Sequence, residues 1–154
     1  TLQQSSAASD VYKRQMTGRA VFNVAYRYNQ ANSDYGVTQY STDADVSASF
    51  NWGSGSYSGQ LDFANFDSGN SLVSNAGFTS FSVSLAGTGA TYAGSLNDTN
   101  NGWTREAVIA GALYGNNTPV ESGGRISVGL SKSGSLGTSG ANDFYMAEGI
   151  YLID

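Results

Sequence analysis

The side chains that could perform acid–base chemistry in this chain are carboxylates. The sequence contains no histidine and no cysteine, which excludes thiolate and imidazole metal sites, cysteine nucleophiles and triads with a histidine base. Two carboxylate pairs have suitable spacing, Asp43 with Asp45 and Asp62 with Asp67. A glycosidase-type pair also needs a cleft that raises one pKa, and no feature of the sequence marks such a cleft. We therefore interpret these acids as solvated side chains and expect no catalytic residue and no enzyme activity.

A calcium loop is the second candidate, in the segment from Asn97 to Gly102. Oxygen-bearing side chains beside a glycine are typical of such loops, but an EF-hand loop that starts at Asp98 needs an acid where Ile109 stands. Asn, Asp and Gly also favour tight turns for conformational reasons. We expect a hairpin turn here, with no metal site and no cofactor.

The segment most typical of recognition is a predicted loop from Asn29 to Thr42. Tyr35 and Tyr40 stand there among Asn, Gln, Ser and Asp. This is the composition of protein-binding loops, in which rigid aromatic rings supply the contact area. A merely solvated loop has the same polarity, so that alternative stays open. We take Tyr35 and Tyr40 as the candidate binding residues.

We expect strands to position these residues, because apolar residues recur at every second position from Gly18 onward. Apolar and polar residues alternate in eight runs, at 18–28, 45–52, 57–63, 80–85, 90–96, 105–114, 125–130 and 144–153. Several connections are too short for a parallel crossover, so neighbouring strands should be antiparallel. Eight such strands lose their exposed edges by closing. The sequence therefore predicts an all-β fold, an eight-stranded antiparallel up-and-down β-barrel with an interior filled by side chains.

The charge and composition of the 154 residues limit the partners. Seven basic residues face twelve acidic ones, for a net charge of −5, and the basic residues are scattered singly. Nucleic-acid binding requires a basic stripe that releases counterions, so we exclude it. An aromatic content of 12% and a single proline argue against a disordered chain.

Residues 1–15 differ from the rest of the chain. The run from Ser5 to Gln15 resembles a translated sequencing-adapter remnant of metagenomic reading frames, and a native polar linker is the alternative. The run has neither the apolar stretch nor the small-residue cleavage site of a signal peptide. We expect residues 1–15 to be a non-native or disordered leader and residues 16–154 to form a single barrel domain.

The strongest local motif spans the end of the sixth run and the start of the seventh. Its residues are glycines around an aromatic side chain and a carboxylate before paired glycines: Gly111, Tyr114, Gly115, Glu121, Gly123 and Gly124. Paired glycines permit positive φ or close approach of a neighbouring backbone. We expect Glu121 to accept N–H bonds at the turn, and the ring of Tyr114 to pack on the barrel wall with its hydroxyl at the rim. These expected roles are structural.

With the closing strand that contains Gly149, this motif resembles the C-terminal β-barrel domain of transferrin-binding protein B-like surface lipoproteins, a family that includes factor H binding protein. The resemblance spans residues 18–154, and the strands before the motif match only in type and spacing. It implies a non-enzymatic, monomeric binding module on the Gram-negative cell surface, held at the outer membrane by a lipid anchor upstream of this chain. The implied ligand is a protein or an iron- or haem-type solute. We expect it to contact loops or the outer wall, because the interior should be full.

A small integral outer-membrane barrel is the alternative class, since it has the same strand number and alternation. Its apolar residues would face lipid. The serine-rich fourth run and the many Ala and Gly residues on the apolar parity would make a thin lipid belt, which favours the surface module.

Overall fold

The alternating runs form eight strands, each antiparallel to the next. This computed structural model describes residues 13–27, 38–52, 56–66, 79–100, 102–115, 121–133 and 142–154. The strands are β1 (Lys13–Arg27), β2 (Thr38–Trp52), β3 (Tyr57–Ala64), β4 (Phe81–Thr88), β5 (Thr91–Asn100), β6 (Trp103–Tyr114), β7 (Glu121–Ser133) and β8 (Asn142–Ile153). Within these ranges there is no helix of a length and hydropathy that would let it cross a membrane.

The sheet closes because β1 pairs with β8 as well as with β2. Ala20, for example, lies between Ala44 of β2 and Tyr151 of β8. Each strand pairs with its neighbours in chain order, so every strand has two partners and no edge remains. The predicted all-β, eight-stranded antiparallel up-and-down barrel is confirmed.

Inward-facing aromatic side chains form the centre of the barrel. Phe63 stacks on Phe81 at a centroid distance of 5.0 Å and meets Phe22 edge-on at 6.0 Å. Phe50 meets Tyr92 at 5.7 Å. These five rings are buried as expected. Trp52, which the alternation also places inside, is half-buried and packs against the core.

The connections alternate between the two ends of the barrel. β1–β2, β3–β4, β5–β6 and β7–β8 are joined at one end, which we call the loop end. The opposite end, the turn end, holds the other connections. Two tight hairpins use glycine in the left-handed region, where a Cβ is strained: Gly89 with φ +61° at the turn end and Gly102 with φ +79° at the loop end.

Three boundaries differ from the sequence-based expectation. β1 begins at Lys13, so 13–15 pair with β2 and belong to the barrel rather than to the leader, while 1–12 lie outside the described residues. β2 begins at Thr38, so the last part of the predicted Asn29–Thr42 loop is strand. β5 continues to Asn100, so 97–100 are strand rather than turn. The ladder extends through polar residues because its hydrogen bonds are made by the backbone.

Candidate binding surface

The grooves found in the described part of the barrel lie on its outer wall. Most inward side chains of the eight strands are buried, including the large Trp103 and Tyr145, whose rings meet edge-on at 5.5 Å. A shallow groove of about 630 Å³ lies on the outer wall of β8, β1 and β2. It is lined by Met146 and Glu148 of β8, by Asn23 and Ala25 of β1, and by the segment from Gln39 to Ser41. A ligand that docks on these strands therefore meets the wall.

A hydrogen-bonded tyrosine cluster fills the interior near the turn end. The Tyr92 hydroxyl lies 2.7 Å from the Tyr151 hydroxyl and 2.8 Å from Ser122 Oγ. Ser122 donates to the carbonyl of Ala112 at 2.9 Å. Burial raises the pKa of Tyr92 and of Tyr151, so both phenols are neutral at physiological pH. The cluster ties β5, β6, β7 and β8 together through neutral hydrogen bonds.

Two glycines of the sequence motif make room for this cluster. A Cβ built on Gly111 would lie 2.4 Å from the Tyr92 hydroxyl oxygen. A Cβ on Gly124 would lie 2.5 Å from the Tyr151 hydroxyl and 2.4 Å from the carbonyl oxygen of Ala110. The two glycines lie opposite each other in the β6–β7 register. The structure thus places them where large neighbours approach closely.

The other motif residues lie at the turn end of β6 and β7. Tyr114 is 54% exposed at the end of β6, and Gly115 has a φ of +139°. Glu121 is exposed and lies opposite Tyr114. Among the described residues the Glu121 carboxylate has no hydrogen-bond partner, and the turn at 116–120 lies outside them. Its expected role at this turn stays a prediction. Gly123 is half-buried beside Leu152.

The segment from Asn97 to Gly102, expected to be a hairpin turn without a metal site, is strand up to Asn100, turns at Gly102 and holds an ion pair. Asp98 on β5 accepts two hydrogen bonds from Arg105 on β6, from Nε at 2.7 Å and from Nη2 at 2.6 Å. Arg105 is only 8% exposed, and its Nη1 donates to the carbonyl of Ser80 at 3.3 Å. The guanidinium lowers the pKa of Asp98. In the described ranges no group of three acidic side chains could hold a metal ion.

The three described members of the carboxylate pairs, Asp43, Asp45 and Asp62, lie on the outer wall and bind polar neighbours. Asp43 and Asp45 both pair with Arg19 across the β1–β2 ladder. A hydrogen bond from Asn65 at 2.8 Å, followed by the one from Arg19, lowers the pKa of Asp45. A carboxylate held ionised in this way lacks the raised pKa that a general acid needs. Asp62 accepts a hydrogen bond from Gln60 at 2.6 Å, and its suggested partner Asp67 is outside the described residues.

The two tyrosines predicted to bind a ligand have different outcomes. Tyr35 lies outside the described residues. Tyr40 lies on β2 opposite Val24, half-buried, and packs against the core. The prediction of an exposed loop residue was therefore wrong for Tyr40. Alternation explains this, because Tyr40 shares the inward parity of Thr42 and Ala44, both of which are buried.

Exposed apolar side chains are concentrated on one half of the outer wall. We call the outward-facing side chains of β6, β7, β8 and β1 the β8 wall, and those of β2 to β5 the polar wall. The described residues include six exposed large apolar side chains, and all six lie on the β8 wall: Val21, Val108, Tyr114, Met146, Ile150 and Leu152. The outward-facing residues of the polar wall are serine, asparagine, glutamine, threonine, aspartate and alanine. Sequence reasoning missed this surface, although a signal is present: in β8 both parities are largely apolar.

No family model matches this chain, and no curated protein matches it either.

Proposed function

We propose that the chain is a non-enzymatic binding module of a Gram-negative surface lipoprotein, and that a protein partner docks on the β8 wall. The observation that carries this is the placement of all six exposed large apolar side chains of the described residues on β1, β6 and β8. Contiguous exposed apolar surface is costly in water and typically marks an interaction site. The polar wall of the same barrel shows that the fold itself does not require such exposure.

The composition of the β8 wall suits a protein interface. At its centre, Arg125 of β7 lies opposite Ile150 of β8 and is the cross-strand neighbour of Ala110 of β6. Arginine beside apolar side chains is typical of interface hot spots. Gly123 and Gly129 of β7 have no side chain, so the surface between these residues lies close to the β7 backbone. A partner can therefore approach the β7 backbone closely.

A protein is better supported as ligand than an iron- or haem-type solute. Small solutes bind in concave pockets that bury most of their surface. The inward faces of the described strands are packed with side chains, and the groove beside Met146 is open and shallow. A convex wall that carries exposed apolar side chains fits a second macromolecular surface.

The integral outer-membrane barrel remains the alternative class, and the polar wall argues against it. Lipid-facing strands of such barrels carry apolar side chains along the whole membrane band. Here the outward residues of β2 include Asp43 and Asp45, and those of β3 include Gln60 and Asp62. We therefore expect the full chain to stay in solution without detergent, as measured by light scattering after removal of all detergent. Aggregation that only lipid or detergent reverses would favour the integral barrel.

The binding proposal is tested with charged substitutions at two edges of the β8 wall. We expect Val21→Lys with Leu152→Lys to weaken binding of a protein partner at least about tenfold, because truncating or charging an anchor typically costs 2 kcal/mol or more. The probe is vertebrate serum passed over the immobilised chain, with the retained protein purified and its Kd measured. Ser58→Lys with Ser84→Lys, on the polar wall, is the matched control. Equal binding by wild type and the β8-wall variant would contradict the proposal, and so would a chain that neither retains a protein nor associates with itself.

A further inference from the structure

Two opposite charges lie near the centre of the β8 wall. Arg125 lies opposite Ile150, and two residues along the ladder Ser127 lies opposite Glu148. Arg125 and Glu148 are therefore diagonal neighbours, about 8 Å apart. Among the described residues Arg125 makes no ion pair, and the Glu148 carboxylate accepts only the Ser127 hydroxyl at 2.7 Å. Each charge can thus accept an external partner of opposite sign.

The line from Arg125 to Glu148 is parallel to the barrel axis. One strand spacing of about 4.8 Å and two residues of about 6.6 Å give a diagonal inclined about 36° to the strands. Barrel strands are tilted about 35–45° to the barrel axis. The registers, followed once around the barrel, show in which direction the strands are tilted. This tilt brings the diagonal from Arg125 to Glu148 parallel to the barrel axis. A barrel is straight along its axis and curved around it, so a second barrel makes its longest contact along this line.

We infer that two copies of this chain associate side by side, antiparallel, along this line of the β8 wall. The two-fold axis lies midway between Arg125 and Glu148 and perpendicular to the barrel axis. Arg125 of each copy then meets Glu148 of the other, so two equivalent ion pairs form at once, as an isologous interface requires. Ile150 lies beside the midpoint and packs on Ile150 of the other copy. At 69% exposed, it is the most exposed of the six large apolar side chains.

The neighbours of this line are also complementary in size. The same two-fold axis places Met146, which is 63% exposed, over Ala110 of the other copy. It places Ala25 over Ala112, and Gly123 over Asn23. Each of these three pairs contains at least one small residue, which lets the two walls approach without a clash. This inference rests on the proposed function, because it names a second copy as the protein that occupies the middle of the β8 wall. It also replaces the sequence-based expectation of a monomer.

Exchanging the charges of Arg125 and Glu148 tests directly whether a second copy of the chain binds here. Two convex walls bury less than a standard interface, so we expect a weak dimer and measure the mass by sedimentation equilibrium from about 10 μM to 1 mM. Arg125→Glu alone and Glu148→Arg alone should each weaken the dimer at least about tenfold, because like charges then meet twice. The double exchange should restore it. Glu106→Arg, an exposed acid further around β6, is the control and should leave the dimer unchanged.

A thiol placed near the two-fold axis gives an independent measurement. The chain contains no cysteine, so Ile150→Cys introduces a single thiol. A short bis-maleimide should link two copies at this position, because facing walls lie about 10 Å apart. Val108→Cys is also exposed but lies further around the barrel circumference from the two-fold axis. It should therefore link much less. A monomer at every concentration, or equal linking by both variants, overturns the inference.

If the chain is monomeric but Val21→Lys with Leu152→Lys still abolishes binding of a serum protein, only the second copy is refuted. If the chain is monomeric and these two substitutions also leave binding of a serum protein unchanged, the proposed function is refuted as well.

Discussion

Replacing Gly124 by alanine is expected to lower the free energy of unfolding by about 3 kcal/mol, the upper part of the range for overpacked interiors. The added Cβ would lie 2.4 Å from the carbonyl oxygen of Ala110 and 2.7 Å from the Cα of Gly111. Both are backbone atoms of the neighbouring strand, so no side chain can rotate to relieve the contact. The Cβ would also lie 2.5 Å from the Tyr151 hydroxyl, which is held in the tyrosine cluster. The β6–β7 ladder must therefore open for the methyl group to fit.

Gly129→Ala is the matched control on the same strand. A Cβ at Gly129 meets no atom within 4 Å, and its backbone is not in the left-handed region. The methyl group should leave the fold intact and reduce the freedom of the unfolded chain, which raises stability by up to about 1 kcal/mol. Urea unfolding of both variants gives the two values. Equal effects of the two substitutions would mean that the close contacts at Gly124 are relieved at little cost.

The fold was predictable because one face of every strand is buried. Alternation of the kind seen at Phe81, Val83 and Leu85 against serine residues defines a strand without any long-range information. Strand ends were less predictable. At Tyr40 and at Asp98 the local composition is typical of loops and turns, while pairing with the neighbouring strand keeps the backbone extended. That pairing depends on registers that no local pattern contains.

The same reason explains which parts of the surface could be predicted. Gly124 was recognised as a position that permits positive φ or close approach, and Gly111 only as part of the motif, but the tyrosines they accommodate are known only from the registers of β5, β6, β7 and β8. Arg125 and Glu148 are 23 residues apart in the sequence and become diagonal neighbours only through the β7–β8 register. Properties of single strands could therefore be predicted, whereas combinations across strands could not.

Replacement of Asp98 by alanine is expected to lower the free energy of unfolding by about 2–3 kcal/mol. Arg105 is 8% exposed and would lose the carboxylate that accepts two of its hydrogen bonds, and removing one partner of a buried ion pair is strongly destabilising. The value lies below the full range for buried pairs because the Asp98 side chain is 36% exposed, which lets water replace part of the lost interaction. Asp45→Ala, which removes one acceptor of the exposed Arg19, is the control and should change stability much less.

The same ion pair predicts part of the acid sensitivity of the barrel. Arg105 lowers the pKa of Asp98 in the folded chain below its ordinary value near 3.8, so the unfolded chain takes up this proton first as the pH falls. The contribution of Asp98 is therefore complete at neutral pH and is lost as the pH falls below about 4 and through the folded-state pKa. Asp98→Asn removes the titration and keeps one oxygen acceptor, so its stability deficit should stay constant from pH 7 to about pH 5 and shrink below that toward pH 3. Urea unfolding of wild type and variant between these two pH values measures that difference. A deficit that is constant with pH would mean that Asp98 contributes through its shape and hydrogen bonds rather than through its charge.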